Sequence, residues 1–153
     1  MKASHIKTTI SVVLPYSLNG KEGFIFVKTA KDKKWGLPAG KIDLFEEINS
    51  AASREISEEI GLEIVLESFL GTWDFRSDRG SSISNRVFLG NVLEGEIKIE
   101  NNQEILDLRI LNLKEIRMLF RQGKLRAGRA NLEPVEEFLR GIKYPLSIIK
   151  TLF

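Results

Sequence analysis

The chain begins with two apolar runs separated by a turn signal. Residues 7–14 (KTTISVVL) are rich in β-branched side chains, and residues 23–29 (GFIFVKT) follow the pair Asn19-Gly20. Because β-branched and aromatic residues favour strands and Asn-Gly favours a tight hairpin turn, the pattern predicts two strands joined as a hairpin. Residues 35–40 (WGLPAG) contain too much glycine and proline for a regular element and are expected to form a loop.

Apolar positions in the next segment recur with helical spacing. Ala51, Ala52 and Ile56 fall within residues 48–60, and Gly61 stands where a helix commonly ends. The pattern therefore predicts a helix over residues 48–60.

The second half of the chain mixes strand and helix patterns. Asn112 followed by Glu115 is a capping-box arrangement before an amphipathic helix, and Pro134 can begin another helix that reaches Arg140. No repeating βαβ rhythm is present, which favours a mixed sheet covered by helices over a dinucleotide-binding fold. Strands are predicted at 63–73, 86–93, 97–99 and 106–111, with a turn at 94–95.

Length and composition restrict the class of protein. The chain has 153 residues, 42% apolar and 29% charged, which is typical of a single soluble domain over residues 1–153. It has no cysteine, which excludes disulfides, thiolate metal sites and a cysteine nucleophile. Residues 1–10 do not resemble a signal peptide and no apolar stretch is long enough to span a membrane, so we expect a cytoplasmic protein without a membrane partner.

Basic residues cluster late in the chain, although the net charge of +2 is too small to indicate a nucleic-acid partner. The basic cluster is interpreted first as the solvated face of a helix and second as a patch that attracts phosphates. Within it Glu115 is the only acid. Its members are Arg109, Lys114, Arg117, Arg121, Lys124, Arg126 and Arg129.

The predicted helix over residues 48–60 has one acidic face. Each helical residue advances by about 100°, so Glu55, Glu58 and Glu59 share one side. Two carboxylates about 5 Å apart repel by roughly 3 kcal/mol at an effective dielectric of about 20, so a shielded group of this kind needs a cation or a proton. Oxygen ligands favour Mg²⁺ or Mn²⁺ over zinc. An exposed acidic surface, neutralised by water and Arg54, is the alternative interpretation.

The residues around these glutamates resemble the signature box of the Nudix family. Residues 35–38 (WGLP) resemble its usual lead-in, with Ala39 where many members have glycine. Every defined position of the box is matched, and the resemblance implies a Nudix-type α/β/α sandwich with a mixed sheet. The box reads Gly40, five residues, Glu46, seven residues, Arg54-Glu55-Ile56, one residue, Glu58-Glu59, one residue, and Gly61-Leu62.

The resemblance implies a metal site. Glu55, Glu58 and Glu59 would bind Mg²⁺, or Mn²⁺ in its place, and the carbonyl oxygen of Ala39 is a further candidate ligand. The ion would assist attack of water on a phosphorus atom of a diphosphate. The general base would be Glu55 or a glutamate in a late loop, here Glu104 in residues 101–104; a solvated loop acid is the alternative interpretation of Glu104.

Other positions of the box would support the metal ligands. Arg54 would orient the glutamates by charge-assisted hydrogen bonds, and Glu46 would act through Arg54 or a water molecule. Gly40 and Gly61 would permit tight backbone geometry at the two ends of the box. The only histidine, His5, is far from the box in sequence and is interpreted as a surface residue.

The box does not specify what is attached to the diphosphate. A nucleoside di- or triphosphate, or a nucleoside diphosphate derivative, is the expected substrate. Trp73, Arg76 and Arg86 are candidate contacts to its base and phosphates, although Trp73 or Phe75 could equally pack in the core. The proline, tyrosine and SQPWPFPxS markers associated with ADP-ribose, dinucleoside polyphosphate and NADH hydrolases are absent.

Two other functions and one assembly question stay open at this point. The basic cluster is the support for a non-catalytic Nudix-type nucleotide- or RNA-binding regulator, and RNA 5′-pyrophosphate hydrolysis is a third possibility. The complete set of glutamates favours an enzyme. Nudix relatives often form dimers, so a homodimer is considered; residues 144–153 (YPLSIIKTLF) could pack on a second copy or, as the simpler expectation, on their own domain.

Overall fold

The computed structural model describes residues 5–43, 45–99 and 102–153. The α-helices are α1 (Ile48–Ile60), α2 (Leu113–Arg121) and α3 (Glu133–Leu139), and short 3-10 helices lie at Gly128–Asn131 and Leu146–Ile148. The strands are β1 (Ile6–Val13), β2 (Pro15–Leu18), β3 (Lys21–Thr29), β4 (Trp35–Gly36), β5 (Ala39–Lys41), β6 (Leu62–Arg76), β7 (Ser82–Gly95), β8 (Ile105–Leu111) and β9 (Tyr144–Pro145).

The strands form two sheets. The larger sheet has the order β5-β1-β7-β6-β9, in which β1 and β7 are parallel and the other neighbours are antiparallel. In the smaller sheet β3 pairs antiparallel with β2, β4 and β8. The prediction of a mixed sheet is therefore confirmed.

Two apolar cores lie on opposite sides of these sheets. Ile10 and Val12 of β1 pack in one core with Ile56 of α1. Val13 faces the second core, which also contains Ile116 of α2 and Val135 of α3. All six side chains are almost fully buried, and burial of each contributes roughly 1.5–3 kcal/mol. Because α1 covers one side and α2 and α3 cover the other, the architecture is the expected α/β/α sandwich.

Helix α1 has the predicted bounds, with identifiable caps at both ends. The Glu47 carboxylate accepts from the backbone N–H groups of Asn49 and Ser50. Gly61 ends the helix in the left-handed region, with φ 81°, and its N–H donates to the Ser57 carbonyl at 3.0 Å. The capping box of Asn112 and Glu115 at the start of α2 is also present.

The structure corrects two local predictions in the first half of the chain. Asn19-Gly20 forms the expected hairpin turn, but it joins β2 to β3, whereas β1 belongs to the other sheet. Residues 35–40, expected as a loop, contain β4 and the first part of β5. These strands exist because their backbones pair with β3 and β1, a long-range effect that local composition does not report.

The structure also corrects the prediction after β7. Residues 97–99 are not a strand, and Glu94-Gly95 is the end of β7 rather than a separate turn. Gly95 has φ 111°, and a Cβ there would lie 2.7 Å from the Gly61 carbonyl oxygen. Glycine therefore lets β7 continue beside Leu62 at the start of β6.

The C-terminal segment packs on its own domain in this structure. Tyr144 and Pro145 pair with Phe69 and Ser68, and Leu146 and Ile149 pack against the α1 core. This agrees with the simpler of the two sequence interpretations, and the homodimer stays a prediction. None of the helices in the described ranges is both long and apolar enough to cross a membrane.

Candidate active site

Four glutamates line one pocket at the C-terminal end of α1. Glu55, Glu58 and Glu59 project from the helix, and Glu104 approaches from the loop before β8. The pocket has a volume of about 450 Å³, and Lys98, Asn102 and Gln103 complete its wall. The structure therefore brings the three glutamates predicted as metal ligands together with the candidate base Glu104.

Hydrogen bonds hold the Glu104 loop against α1. The Asn102 side-chain amide donates to the Glu59 carbonyl at 2.9 Å, and the Lys98 N–H donates to the Ile60 carbonyl at 2.8 Å. On the other side, the Ala30 N–H donates to the Glu104 carbonyl at 2.8 Å. Asn101, which belongs to the same predicted loop, lies outside the described residues.

Glu59 is the most buried carboxylate of the pocket, with 8% of its surface exposed. Burial raises its pKa to about 8, although the Ala39 N–H, which lies 3.4 Å from its Oε2 atom, and the charge of Arg126 oppose the shift. Removing a carboxylate from water disfavours its charged form unless a cation is bound. Glu59 is therefore a strong candidate to receive a metal ion.

Glu55 lies against the backbone of Gly40. Burial raises the pKa of Glu55, and the neighbouring Arg54 charge opposes that shift. A side chain at Gly40 would overlap the Glu55 carboxyl group. A side chain at Gly40 would therefore displace the Glu55 carboxyl group from its present position, which gives a specific reason for the predicted role of Gly40.

Arg54 connects the loop of the box with the acidic helix face. Its Nε and Nη2 atoms each donate at 2.9 Å to one oxygen of Glu46, and Nη2 also donates to the Lys41 carbonyl at 3.2 Å. Nη1 lies 3.0 Å from Glu55 and 3.3 Å from Glu58. The paired hydrogen bonds lower the pKa of Glu46 and raise that of Arg54. Arg54 thus contacts Glu46 and lies close to both helix glutamates, and its orienting role and the supporting role of Glu46 stay predictions.

The donor set fits a hard divalent cation. Within the described ranges, no three acidic or histidine side chains already stand in a metal-binding arrangement. Glu55 and Glu58 are turned towards Arg54, which supplies the neutralising charge at that end. Glu59 forms no ion pair within 4.0 Å with any described residue. Every side-chain ligand on this helix face is a carboxylate oxygen, which suits Mg²⁺ or Mn²⁺.

A larger cleft of about 740 Å³ opens beside the pocket and shares Glu59, Gln103 and Glu104 with it. This volume is within the range of small-molecule sites. Phe75 and Ile83 form an apolar part of the cleft wall. Six cationic side chains also line the cleft: Lys7, Lys31, Lys41, Arg76, Arg79 and Arg126.

The floor of the cleft is a small polar network within the larger sheet. Thr9 and Ser11 of β1 donate to the Asn85 side-chain oxygen at 2.8 and 3.2 Å, and the Asn85 amide donates to Ser11 at 3.0 Å. Ser11 and Asn85 are buried, with 3% and 4% exposed. A polar floor between apolar walls can orient a nucleobase or a sugar.

Two of the three predicted substrate contacts do not line this cleft. Arg76 does, together with Phe75. Trp73 packs at the edge of the second core and donates from its indole N–H to Glu133 at 3.1 Å. Arg86 stands opposite Ile10, on the sheet face that carries the α1 core. Residues alternate in direction along a strand, so Arg86 lies on the other side of the sheet from Asn85.

The basic cluster is not one continuous surface. Arg109 stacks over the Trp35 ring at 4.9 Å, Arg117 pairs with Glu136, and Arg129 pairs with Glu133. The interpretation as one solvated helix face is therefore wrong for the cluster as a whole, because its residues extend from β8 through α2 to the 3-10 helix at Gly128–Asn131.

One member of the cluster, Arg126, lines the cleft, where the sequence alone gave no specific role for it. Asn131 lines the cleft as well. The available signal was weak: Ser11 is a polar residue between two apolar ones, Asn85 lies between the polar residues Ser84 and Arg86, and Asn131 is a buried polar residue after a basic segment.

Fold and site together define an α/β/α protein in which a carboxylate pocket opens into a nucleotide-sized cleft. A match to the NUDIX domain extends over residues 7–133, most of the chain. The chain therefore belongs to the Nudix family, whose hydrolases cleave pyrophosphate bonds in nucleotide derivatives.

Individual relatives agree with this assignment. The chain is 31% identical over 84 residues to a nudix hydrolase 1 of Caenorhabditis elegans, covering 55% of this chain and 22% of that protein. It is 33% identical over 95 residues to an 8-oxo-dGDP phosphatase of Homo sapiens, covering 60% of this chain and 28% of that protein. This chain thus matches about a quarter of the length of these relatives.

The fold is also similar to solved structures. A NUDIX hydrolase from Nitrosomonas europaea superimposes with a TM-score of 0.83 at 22% identity, covering 97% of this chain and 98% of that one. At this identity the likeness concerns the fold, and it extends over nearly the whole of both chains.

Proposed function

We propose that this protein is a Mg²⁺-dependent hydrolase that cleaves the diphosphate linkage of a nucleoside di- or triphosphate or of a nucleoside diphosphate derivative. The observation that carries the proposal is the pocket formed by Glu55, Glu58, Glu59 and Glu104, which opens directly into the larger cleft. Mn²⁺ is expected to replace Mg²⁺, because both are hard ions that accept oxygen ligands.

The protein side chains have separate tasks in this proposal. Glu55, Glu58 and Glu59, with the Ala39 carbonyl, would hold the ion, and Arg54 keeps the first two oriented. When bound, the ion would neutralise the phosphate oxygens and make the attacking water more acidic. Glu55 or Glu104 would accept the proton of that water. Transfer of the phosphoryl group to water then breaks the phosphorus–oxygen bond of the diphosphate.

The cleft would hold the nucleoside part of the substrate. Phe75 offers an aromatic surface for a base, and the network of Thr9, Ser11 and Asn85 offers hydrogen-bonding groups below it. Arg76 at the rim would contact phosphate. The excess of cations over acids around the cleft favours an anionic ligand.

A nucleotide panel tests the proposed reaction. Nucleoside di- and triphosphates and nucleoside diphosphate sugars are incubated with the protein and Mg²⁺, and the phosphorus products are identified by ³¹P NMR. We expect cleavage of at least one class, loss of cleavage in excess EDTA, and a decrease of at least about a hundredfold in Glu58→Gln. Glu22→Gln is the matched control, since Glu22 is exposed on β3 and lines neither cavity. Absence of cleavage of every substrate would contradict the proposal.

Two further variants separate the candidate bases. Glu55→Gln and Glu104→Gln each remove one carboxylate from the pocket while the side-chain size is kept. The variant that lacks the true base is expected to lose most of its turnover, and the acidic limb of its pH–rate profile should disappear. Unchanged turnover in both variants would remove both residues from this role.

A further inference from the structure

Arg126 lies close to Glu59, a residue that lines both the carboxylate pocket and the larger cleft. It lines the cleft together with Ala39 and Glu59, and its charge acts on the Glu59 carboxylate. It follows α2 in sequence, far from the signature box. The family resemblance therefore assigns it no role.

Arg126 is held rigidly against the segment that leads into the box. Its backbone N–H donates to the Trp35 carbonyl at 2.7 Å, and its own carbonyl accepts from the Asn131 side-chain amide at 2.6 Å. Its Nη2 atom donates to the Leu37 carbonyl at 3.1 Å. A Cβ at Gly36 would lie 2.5 Å from that Nη2 atom, so only glycine leaves room for the guanidinium. The hydrogen bond to Leu37 and the space at Gly36 thus define the position of the guanidinium in this structure.

The guanidinium has spare hydrogen-bonding capacity and no close anion among the residues that the structure describes. It carries five N–H donors, and the Leu37 carbonyl is the one acceptor it reaches in the described part of the chain. No described carboxylate lies within 4.0 Å of it. Asp32, which faces the same cleft, already accepts from Thr29 and the Lys34 N–H at 2.7 and 2.9 Å.

The energetics of this position favour an anionic ligand. Burial lowers the pKa of Arg126, and the more distant charges of Asp32 and Glu59 only partly offset that effect. Arginine nevertheless stays protonated in proteins. A partly desolvated cation without a paired anion is unfavourable, and an oxyanion that accepts two parallel N–H groups would relieve the cost.

We propose that Arg126 binds a phosphate oxygen of the substrate at the point where its phosphate chain passes from the carboxylate pocket into the cleft. This inference rests on the proposed function, because it assigns a phosphate contact within the same site. A phosphate contact at this place would set the distance between the bond that is cleaved and the nucleoside. Arg126 would then help to select substrates by the length of their phosphate chain.

Binding of inorganic pyrophosphate to the metal-free protein, measured by calorimetry in EDTA, tests this contact. We expect the wild type to bind and Arg126→Gln to bind at least about tenfold more weakly, since a hydrogen bond between charged groups is lost. Arg126→Lys keeps the charge without the planar pair of donors and should be intermediate. Arg129→Gln is the matched control because it removes the same charge three residues away, where Arg129 pairs with Glu133.

Three results would overturn the inference: no binding by the wild type, equal binding by Arg126→Gln, or equal losses in Arg126→Gln and Arg129→Gln. If Arg126→Gln does not fold, as judged by circular dichroism, Arg126→Lys decides in its place, and wild-type affinity in that variant would count against the contact. The titration contains no metal and no turnover. Failure of the nucleotide panel with a positive titration would therefore contradict only the proposed reaction, and the reverse outcome would contradict only the role of Arg126.

Discussion

The guanidinium of Arg54 donates two hydrogen bonds of 2.9 Å to the two carboxylate oxygens of Glu46. The same guanidinium reaches Glu55 and Glu58 with its remaining nitrogen. The loop at the start of the signature box is thus connected through one side chain to two candidate metal ligands. Glu46 fixes Arg54, and Arg54 in turn limits where the two glutamates can lie.

This relationship predicts that Glu46→Gln impairs catalysis although Glu46 itself does not line the substrate cleft. The amide cannot accept both N–H groups, so Arg54 should lose its fixed orientation and kcat should fall by about tenfold or more, because small displacements of catalytic groups are costly. Steady-state kinetics measure the effect. Asp43→Asn is the control, since Asp43 meets Arg54 at 3.4 Å and is largely exposed, so its loss should change kcat little. Equal effects of the two variants would contradict the assigned role of Glu46.

Gly40→Ala is expected to damage the metal site more than the fold. The added methyl group would overlap the Glu55 carboxyl group and displace it, so affinity for Mg²⁺ should decrease while the thermal midpoint changes little. Gly80→Ala provides the opposite case: nothing lies within 4 Å of its Cβ position, but its φ of 83° strains alanine by roughly 1 kcal/mol. Calorimetric titration with Mg²⁺ and thermal unfolding of both variants distinguish the two effects. Normal Mg²⁺ affinity in Gly40→Ala would argue against the close packing of Glu55.

Stability of the metal-free protein should depend on pH through Glu59. Its folded-state pKa is raised from 4.5 to about 8, so the folded state holds a proton that the unfolded state releases. Stability should therefore be highest at the acidic end of that interval and decrease as the pH rises from about 4.5 towards 8, where Glu59 becomes charged within the fold.

Glu59→Gln cannot ionise and should be more stable than the wild type at pH 8.5 in EDTA, with the difference vanishing near pH 5. Thermal unfolding of the two proteins across this interval measures the effect. A constant difference at all pH values would show that Glu59 is not the titrating group.

The cleft assignment predicts different effects of two neighbouring aromatic residues on β6. Phe75 lines the cleft, so Phe75→Ala should raise KM several-fold once a substrate is known. Trp73 donates a hydrogen bond to Glu133 and packs against the second core. Trp73→Phe should therefore leave KM unchanged and lower the free energy of unfolding by about 1 kcal/mol. If KM increases for Trp73→Phe and not for Phe75→Ala, Trp73 is a substrate contact. That result would contradict the assignment of this cleft as the substrate site.

Local signals in the sequence predicted the central elements well. Helix α1, its end at Gly61 and the capping box at Asn112 depend on residues within a few positions of each other, and all three are present. The shared face of Glu55, Glu58 and Glu59 follows directly from helical spacing. The Glu104 position could be predicted only from the family resemblance, because nothing in the loop itself indicates that it returns to α1.

The remaining features depend on contacts between distant parts of the chain. The Leu37 carbonyl accepts one hydrogen bond from Arg126 at 3.1 Å, and the Leu37 N–H donates to the Asn131 side-chain oxygen at 2.8 Å. These partners are about ninety residues away in sequence, with separations of 89 and 94. The combination of aromatic and cationic residues after the box predicts that Trp73 and Arg86 contact the substrate, but strand direction and register decide which face a side chain occupies.

Binding of Mg²⁺ to the pocket is the most direct test of this account. Calorimetric titration of the wild type, Glu58→Gln and Glu22→Gln compares a pocket glutamate with an exposed one outside the site; Glu58 is 62% exposed, so its replacement should leave the fold intact. We expect saturable binding by the wild type and Glu22→Gln, and affinity at least about tenfold weaker in Glu58→Gln, since a charged oxygen ligand is lost. Equal affinity in all three proteins, or no binding by the wild type, would contradict the assignment of these glutamates as a metal site.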